Sequence, residues 1–140
     1  MKDFQSVASK IILEMEYHAM KLGVKGVIVV ASMDTAGSSW VSQMKAVSAM
    51  KKIPEHPEKE SYPGYNFIGI AYSKAAEMAD TKINSGSKVR PAYQGEFGYE
   101  GGMIEKTDSG FILTVFSGAT GEQDFEIATV GMNAYQANRE

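Results

Sequence analysis

The sequence predicts an α+β fold, in which helices pack on an antiparallel sheet. Apolar residues recur at helical spacing in three segments, near the start, in the middle and at the end of the chain. Two pairs of strand-like segments lie between these helices, and a short turn joins the members of each pair. Because hairpins form antiparallel pairs, the order helix, hairpin, helix, hairpin, helix favours an α+β arrangement. With 140 residues, the chain is predicted to form one domain over residues 1–140.

The helices have recognisable boundaries. The first is predicted over residues 3–22, where Asp3 can cap the start and Gly23 can end the last turn. The second is predicted over residues 67–83, with Asn66 as its N-terminal cap. The third occupies the C-terminal end of the chain.

Four strands are predicted, and they cover residues 26–33, 38–50, 101–106 and 111–118. The turn DTAG joins the first pair, because Asp begins such turns by bonding its own backbone and Gly accepts positive φ. The turn TDSG joins the second pair. Apolar and polar residues alternate imperfectly in the second strand, so the sequence does not decide which of its faces is buried.

Two segments break these patterns. Residues 51–65 hold three of the four prolines together with alternating charges, which indicates an exposed loop insertion. Residues 84–100 form a long irregular segment rich in Gly, Ser and Tyr. Because loops of this length are often functional, this second segment is a candidate part of a binding site.

Composition argues against several classes of function. The formal net charge is −3 and the 14 Lys and Arg residues are scattered, so we expect no nucleic-acid partner. No segment approaches the roughly 20 apolar residues of a membrane span, and the N-terminus lacks an apolar signal region. Without cysteine, the chain has no disulfide, thiol nucleophile or thiolate metal site. We therefore expect a cytoplasmic protein with no membrane partner.

The segment SGATGEQD, residues 117–124, joins a predicted strand to the last helix. It is not a Walker loop, because Gly118 and Gly121 are too close together and no lysine follows them. Thr120 and Gln123 instead match a capping box, in which each side chain bonds a backbone N–H of the other residue. These residues favour a structural hinge. The alternative is that free N–H groups of the hinge also hold a ligand, which makes Gly118, Thr120 and Gly121 candidate binding residues.

The two histidines are candidate ligands of different quality. His18 falls at the edge of the buried stripe of the first helix. It is interpreted either as a boundary residue near the C-terminal end of the helix dipole or as an axial ligand to haem iron or another metal. His56 stands among glutamates in the proline-rich loop, where a solvated charge run is favoured over a metal site. No triad spacing and no G-x-S-x-G motif is present, so no catalytic residue is predicted.

An aromatic and basic cluster lies in the long irregular segment, where Tyr93, Phe97 and Tyr99 occur beside Lys88 and Arg90. Such a cluster can stack a flat ligand, such as a tetrapyrrole or a nucleobase. It can equally pack its own side chains or contact another copy of the chain. The three aromatic residues are therefore candidate ligand-binding residues with a structural alternative.

Several stretches together resemble a known family. The strand and turn GVKGVIVVASMDTAGSSW, the helix GIAYSKAAEMAD, and the hairpin and hinge GGMI…SGFILTVFSGATGEQDFEIATVGMNAY are similar to those of the GlcG/HbpS-like family. Members are called haem-degrading or haem-binding domains and include the C-terminal domain of PduO-type proteins. The hinge is the most specific of these motifs. The resemblance covers nearly all of the chain except residues 51–65 and much of 84–100.

The resemblance implies a profilin-like α/β/α fold, assembly into dimers or larger rings, and binding of haem or a related small molecule. Within this family resemblance, His18 is the residue to test for ligation of haem iron. The chain departs from the family in its longer segment 51–65 and in the aromatic residues that precede Gly101. It also lacks the proline that often follows the Gly-Gly pair. These departures bear on which ligand the chain binds, because they change the segments around the expected site.

We therefore expect an oligomeric small-molecule-binding protein, with haem as the candidate cofactor and no catalytic site. The sequence does not decide whether the protein is an enzyme, and it favours a binding protein. One alternative is an enzyme, or an enzyme accessory, acting in small hydroxy-acid or diol metabolism, which would need a convergent set of ionisable residues. The other is a structural module that assembles with itself through Trp40, Met44 and Met50.

Overall fold

The computed structural model describes residues 3–139, and the predicted order of helices and hairpins is confirmed within them. The elements in chain order are α1 (Phe4–Leu22), β1 (Gly26–Asp34), β2 (Trp40–Val47), β3 (Lys51–Lys52), β4 (Tyr65–Asn66), α2 (Phe67–Thr81), β5 (Gly102–Lys106), β6 (Gly110–Ser117) and α3 (Gly121–Asn138). A single turn of 3-10 helix, Pro57–Lys59, lies between β3 and β4. The short β3–β4 pair and this 3-10 turn were not predicted from the sequence, which indicated an exposed loop there.

The four longer strands form one antiparallel sheet in the order β2-β1-β6-β5. β1 and β6 occupy the centre and are almost entirely buried, whereas the edge strand β2 is mostly exposed. The imperfect alternation of β2 thus reflects a strand of which only Val47 is buried. The predicted α+β fold, an antiparallel sheet flanked by helices, is confirmed.

Helices cover both faces of the sheet. α1 and α3 lie on one face, over a core to which β1 contributes Ile28 and Val30. α2 lies on the other face, where β1 contributes Val27 and Val29. Successive strand residues point to opposite faces, so one strand supplies both cores. The result is a three-layer α/β/α arrangement, in which the chain leaving β6 enters α3 within hydrogen-bonding reach of α2.

Local capping sets the ends of the helices as predicted. Asp3 caps α1, and Gly23 ends it in the left-handed conformation at φ 71°. Asn66 caps α2 through its side-chain oxygen. α2 ends at Thr81, slightly earlier than predicted, because Lys82 adopts a left-handed conformation with φ 62°.

The segment 51–65 brings the chain back to the start of α2. β3 pairs with β4 through Lys51–Asn66 and Lys52–Tyr65. Most residues between the two strands are exposed. This small sheet holds Lys52 and Tyr65 beside the N-terminal half of α2, where both line a cleft.

The edge strand leaves apolar side chains exposed to solvent. Trp40 and Met44 of β2 are 40% and 39% exposed, and Met50 beyond the strand is 52% exposed. Within residues 3–139, no helix is both long enough and apolar enough to cross a membrane.

Candidate functional site

A cleft of about 920 Å³ opens where α2, the end of β6, the start of α3 and the segment 84–100 meet. Its lining combines aromatic and charged side chains. The aromatic residues are Tyr65, Phe67, Tyr99 and Phe125, and the charged residues include Lys52, Lys88, Glu100 and Glu122. Concave sites with a largely apolar wall and a few polar groups are where small molecules usually bind. This cleft is therefore the candidate functional site.

A buried ion pair lies at the base of the cleft. Lys74 of α2 donates to the Oδ2 atom of Asp124 at 2.9 Å and to the carbonyl oxygen of Phe116 at 2.8 Å. The two charged side chains are only 2% and 6% exposed. The Oδ1 atom of Asp124 accepts the backbone N–H of Ala119 at 2.9 Å. The pair thus joins α2, β6 and the first turn of α3 at one point.

Burial opposes the charge on both members of this pair. Removal from water lowers the pKa of Lys74 and raises the pKa of Asp124, because each charged form loses hydration. Their mutual attraction and hydrogen bond act in the opposite direction on both groups. The pair therefore depends on both partners, and neither charge is well accommodated without the other.

Gly101 makes room for the ion pair. A Cβ atom at this position would lie 2.5 Å from Nζ of Lys74 and 2.8 Å from the carbonyl oxygen of Phe116. The backbone of Gly101 has φ +122°, a conformation that residues with side chains rarely adopt. Position 101 therefore needs glycine for two reasons: its backbone conformation is unfavourable for other residues, and a side chain would collide with Lys74.

Sequence reasoning missed the ion pair. The sequence placed Asp124 in the first turn of the last helix, where the helix dipole alone explains an acid. A signal was nevertheless present, because Lys74 interrupts the apolar stripe of α2 between Ala71 and Ala75. All three residues are buried. A lysine at such a position is almost never buried without a partner, so it points to an acid elsewhere in the fold.

The hinge SGATGEQD forms one wall of the cleft. The predicted capping box is confirmed: Oγ1 of Thr120 accepts the N–H of Gln123 at 3.1 Å, and Oε1 of Gln123 accepts the N–H of Thr120 at 3.4 Å. Gly118 has φ +143°, and a Cβ atom there would lie 2.2 Å from the carbonyl oxygen of Lys25. Gly118 and Gly121 line the cleft, and Thr120 lies between them in the chain.

His18 lies outside the cleft lining. Its Nε2 atom lies 2.5 Å from Oε2 of Glu126, so the pair joins α1 to α3. Its side chain is 25% exposed, which agrees with the predicted position at the edge of the buried stripe. His56 lies 3.5 Å from Glu58, and both side chains are mostly exposed. Residues 3–139 contain no group of three or more His, Cys, Asp and Glu side chains arranged to hold a metal ion.

The three aromatic residues of the segment 84–100 have different surroundings. Tyr99 lines the cleft and stacks on Phe97, with ring centroids 5.4 Å apart and an interplanar angle of 17°. Tyr93 instead lies against the guanidinium of Arg90, whose central carbon is 3.6 Å from the ring centroid. Only Tyr99 of the three is therefore in the cleft wall, and Phe97, which stacks on it, lines a neighbouring cavity.

An arginine orders the same segment. Arg90 donates two hydrogen bonds to Glu96, at 2.8 and 3.0 Å, and its Nε atom donates a further one to Oδ2 of Asp80 in α2 at 3.0 Å. These partners raise the pKa of Arg90, chiefly through its hydrogen bond with Glu96, and Arg90 in turn lowers the pKa of Glu96. Bidentate pairs fix the geometry of both side chains. The long irregular segment is thus held in a defined shape against α2.

Comparison with known proteins identifies the fold. No family model matches the chain, and no curated protein matches it. Among solved structures, protein ORFY of Klebsiella pneumoniae, described as a DUF336 protein, is similar with a TM-score of 0.65 and 16% identity, over 96% of this chain and 90% of that chain. A PduOC–heme complex is similar with a TM-score of 0.58 and 18% identity, over 94% and 93% of the two chains.

This chain has the DUF336 fold. The resemblance to the GlcG/HbpS-like family and to PduO C-terminal domains is thereby confirmed at the level of the fold. At this degree of identity, the likeness concerns the arrangement of helices and strands and does not extend to individual site residues.

Proposed function

We propose that the protein binds a small, flat, acidic molecule in the cleft, and that it acts as a binding module without a catalytic site of its own. The observation that carries this proposal is that aromatic side chains and two exposed lysines line the same cleft. Tyr99 and Phe125 are 40% and 36% exposed, so their rings are available for contact. Lys52 and Lys88 are exposed on the same cleft and supply positive charge.

A flat ligand fits these residues for physical reasons. Aromatic rings contribute large apolar contact areas and prefer offset or edge-to-face packing with another ring system. Lysine ammonium groups attract carboxylates while their stems cover apolar surface. Glu100 and Glu122 lie on the same cleft and would disfavour an acidic group placed near them. The ligand is therefore oriented, with its acidic part toward the lysines.

Haem is the candidate ligand of this class. It is planar and carries two carboxylates, and the solved structure of similar fold described as PduOC contains heme. Tyr65 and Tyr99 are the side chains in the cleft lining whose type is known to ligate haem iron. His18, the residue expected from the sequence, would instead hold haem at a different place, beside Glu126 and with its Nε2 atom released from that carboxylate.

A hemin titration distinguishes the two places. We expect purified protein to shift the Soret band of hemin, Tyr99→Ala and Phe125→Ala to weaken the shift, and His18→Ala to leave it unchanged. The reverse result, loss with His18→Ala alone, would assign haem to the α1–α3 surface and contradict the cleft proposal for this ligand. A protein that binds neither hemin nor any flat acid in a thermal-shift screen would contradict the proposal as a whole, because ligand at about 100 times its Kd stabilises by roughly 2.7 kcal/mol.

We further propose that the chain, as a single domain, assembles with itself into a dimer or a larger ring. The exposed Trp40 and Met44 on the edge strand β2 support this, since large apolar side chains on an unpaired edge favour contact with another copy. Light scattering on the purified protein measures the oligomer, and Trp40→Glu is expected to reduce its mass. A monomeric wild-type protein would contradict this part.

The enzyme alternative requires a convergent set of ionisable side chains. Lys74, Asp124 and Glu100 do converge at the cleft. However, Lys74 and Asp124 neutralise each other and are buried, so neither offers a free acid or base to a ligand. These residues therefore favour a binding protein over an enzyme.

A further inference from the structure

Glu77 of α2 is a buried carboxylate with only half of its hydrogen-bonding capacity used. The residue is 6% exposed. Its Oε2 atom accepts the backbone N–H of Gly86 at 2.9 Å. Its Oε1 atom is fully buried and has no hydrogen-bond partner among residues 3–139.

A second buried atom without a partner belongs to the segment that follows α2. Ser85 is 4% exposed, and its hydroxyl has no hydrogen-bond partner in the described part of the chain. Ser85 directly precedes Gly86, the residue whose N–H reaches Glu77. Buried polar groups are nearly always paired in native structures, so an unpaired set of this kind indicates a bound water, ion or ligand.

Glu77 also lines a cavity of its own. This cavity has a volume of about 510 Å³ and lies between α2 and the segment that includes Lys88, Arg90 and Glu96. It shares Lys88 and Gly98 with the larger cleft, but Glu77 lines this cavity and not the cleft. A volume of this size is in the range of small-molecule sites.

The charges around the cavity leave Glu77 without a counterion. Arg90 is already occupied by Glu96 and Asp80. No Lys, Arg or His side chain within residues 3–139 lies at ion-pair distance from Glu77. A buried charged carboxylate is stabilised by a cation or by hydrogen-bond donors to both of its oxygens, and Glu77 has a donor, the N–H of Gly86, on one oxygen alone. A ligand or a rearranged Lys88 could supply the partner of the other oxygen.

We propose that this cavity is a second binding site, for a small molecule that carries a primary ammonium group, and that the ammonium donates to Oε1 of Glu77. The ammonium group supplies the positive charge and the N–H donors that Oε1 of Glu77 lacks. Lys88, at the rim, faces the remainder of the ligand and favours an acidic or polar group there. This site shares Lys88 with the larger cleft, but Glu77, the residue that would bind the ammonium group, does not line that cleft.

Amide NMR spectroscopy tests the site through the backbone amides of Gly86 and Gly98. The probes are ethylammonium and ethanolamine, and propionate is the matched compound of similar size that lacks the ammonium group. We expect both amines to move the Gly86 and Gly98 amide resonances in a saturable way, and propionate to move neither. Glu77→Gln is expected to abolish the response, while Glu58→Gln, which removes an exposed carboxylate elsewhere, is expected to keep it.

The unaltered protein decides the question even if Glu77→Gln does not fold, because the comparison of amines with propionate needs no variant. If neither amine moves the Gly86 resonance, or if the response persists in folded Glu77→Gln, the proposal is wrong. A third result would also overturn it: binding that appears only in Lys88→Ala shows that the Lys88 side chain itself occupies the site in the native protein.

Discussion

Two acidic side chains are buried near α2, and they differ in how completely they are partnered. Both oxygens of Asp124 have partners, since one accepts from Lys74 and the other from the N–H of Ala119. Glu77 uses one oxygen for Gly86 and leaves the other unpaired within the described residues. A fully partnered buried carboxylate ties elements together, whereas a half-partnered one reduces stability unless something else fills the gap.

The comparison assigns different roles to neighbouring positions of one helix. Lys74 and Glu77 lie three residues apart on α2, and both are buried. Lys74 turns toward α3 and closes an ion pair, while Glu77 turns toward the segment 84–100 and faces a cavity. The first is expected to matter mainly for stability, and the second mainly for binding.

The largest expected effect comes from breaking the ion pair. Lys74→Met leaves Asp124 buried without its cation, and we expect a loss of about 3–5 kcal/mol in the free energy of unfolding. Urea denaturation measures this loss. The control is Lys45→Met, which removes the exposed pair with Glu16 and should cost no more than about 1 kcal/mol.

A double variant tests whether the loss of stability in Lys74→Met is caused by the unpaired charge of Asp124. In Lys74→Met/Asp124→Leu, both charges are replaced by apolar side chains, and we expect most of the lost stability to return. If the double variant is as unstable as Lys74→Met alone, the loss reflects packing of the lysine stem, and the contrast with Glu77 weakens.

The second effect concerns the glycine that accommodates the pair. Gly101→Ala adds backbone strain and a methyl group 2.5 Å from Nζ of Lys74, and we expect a loss of about 2–3 kcal/mol. Gly95→Ala is the matched control, because Gly95 has φ +97° but nothing within 4 Å of the added atom. Strain alone should cost Gly95→Ala about 1 kcal/mol. Equal losses by thermal denaturation would show that the ion pair does not restrict position 101.

The features that could be predicted from the sequence are local ones. Asp3, Gly23 and Thr120 act on their own or adjacent turns, so short motifs reveal them. The ion pair joins residues 50 positions apart, and nothing in the residues around Asp124 separates an acid with a distant partner from an acid that favours a helix N-terminus. Only the lysine within an apolar stripe carried that information.

The binding residues show the same limit. Helical spacing placed His18 at the edge of a buried face, and its partial exposure agrees. Spacing does not indicate which face of the molecule carries a cavity, because that depends on how layers pack. Tyr93 and Tyr99 were equivalent in sequence, yet only Tyr99 reaches the cleft, since Arg90 holds Tyr93 elsewhere.

The third effect concerns the cap of α3. It tests whether the capped start of the helix or the ion pair with Lys74 determines the position of Asp124. Thr120→Ala removes the side-chain cap of α3, and we expect a loss of about 1 kcal/mol. Thr120→Ser retains the cap oxygen and should restore most of it. A loss in Thr120→Ala as large as that of Lys74→Met would mean that the hinge, rather than the ion pair, determines where Asp124 lies.

The smallest expected change in stability is at Glu77. It is expected to differ clearly from the loss caused by the matching substitution at Asp124. In Glu77→Gln, the amide oxygen can still accept the N–H of Gly86, while a buried charge without a counterion within residues 3–139 is removed. An amide NH2 without a partner takes the place of the unpaired oxygen, so a buried unpaired group remains and only the charge is lost. We therefore expect stability in the absence of ligand to change little, with any loss below about 1 kcal/mol. Urea denaturation of Glu77→Gln beside Asp124→Asn measures the contrast, because Asp124→Asn removes a charge that has a cation and should destabilise clearly. If Glu77→Gln is the more damaging of the two, Glu77 is a structural anchor of the segment 84–100, and its unpaired oxygen is filled by water in the native protein.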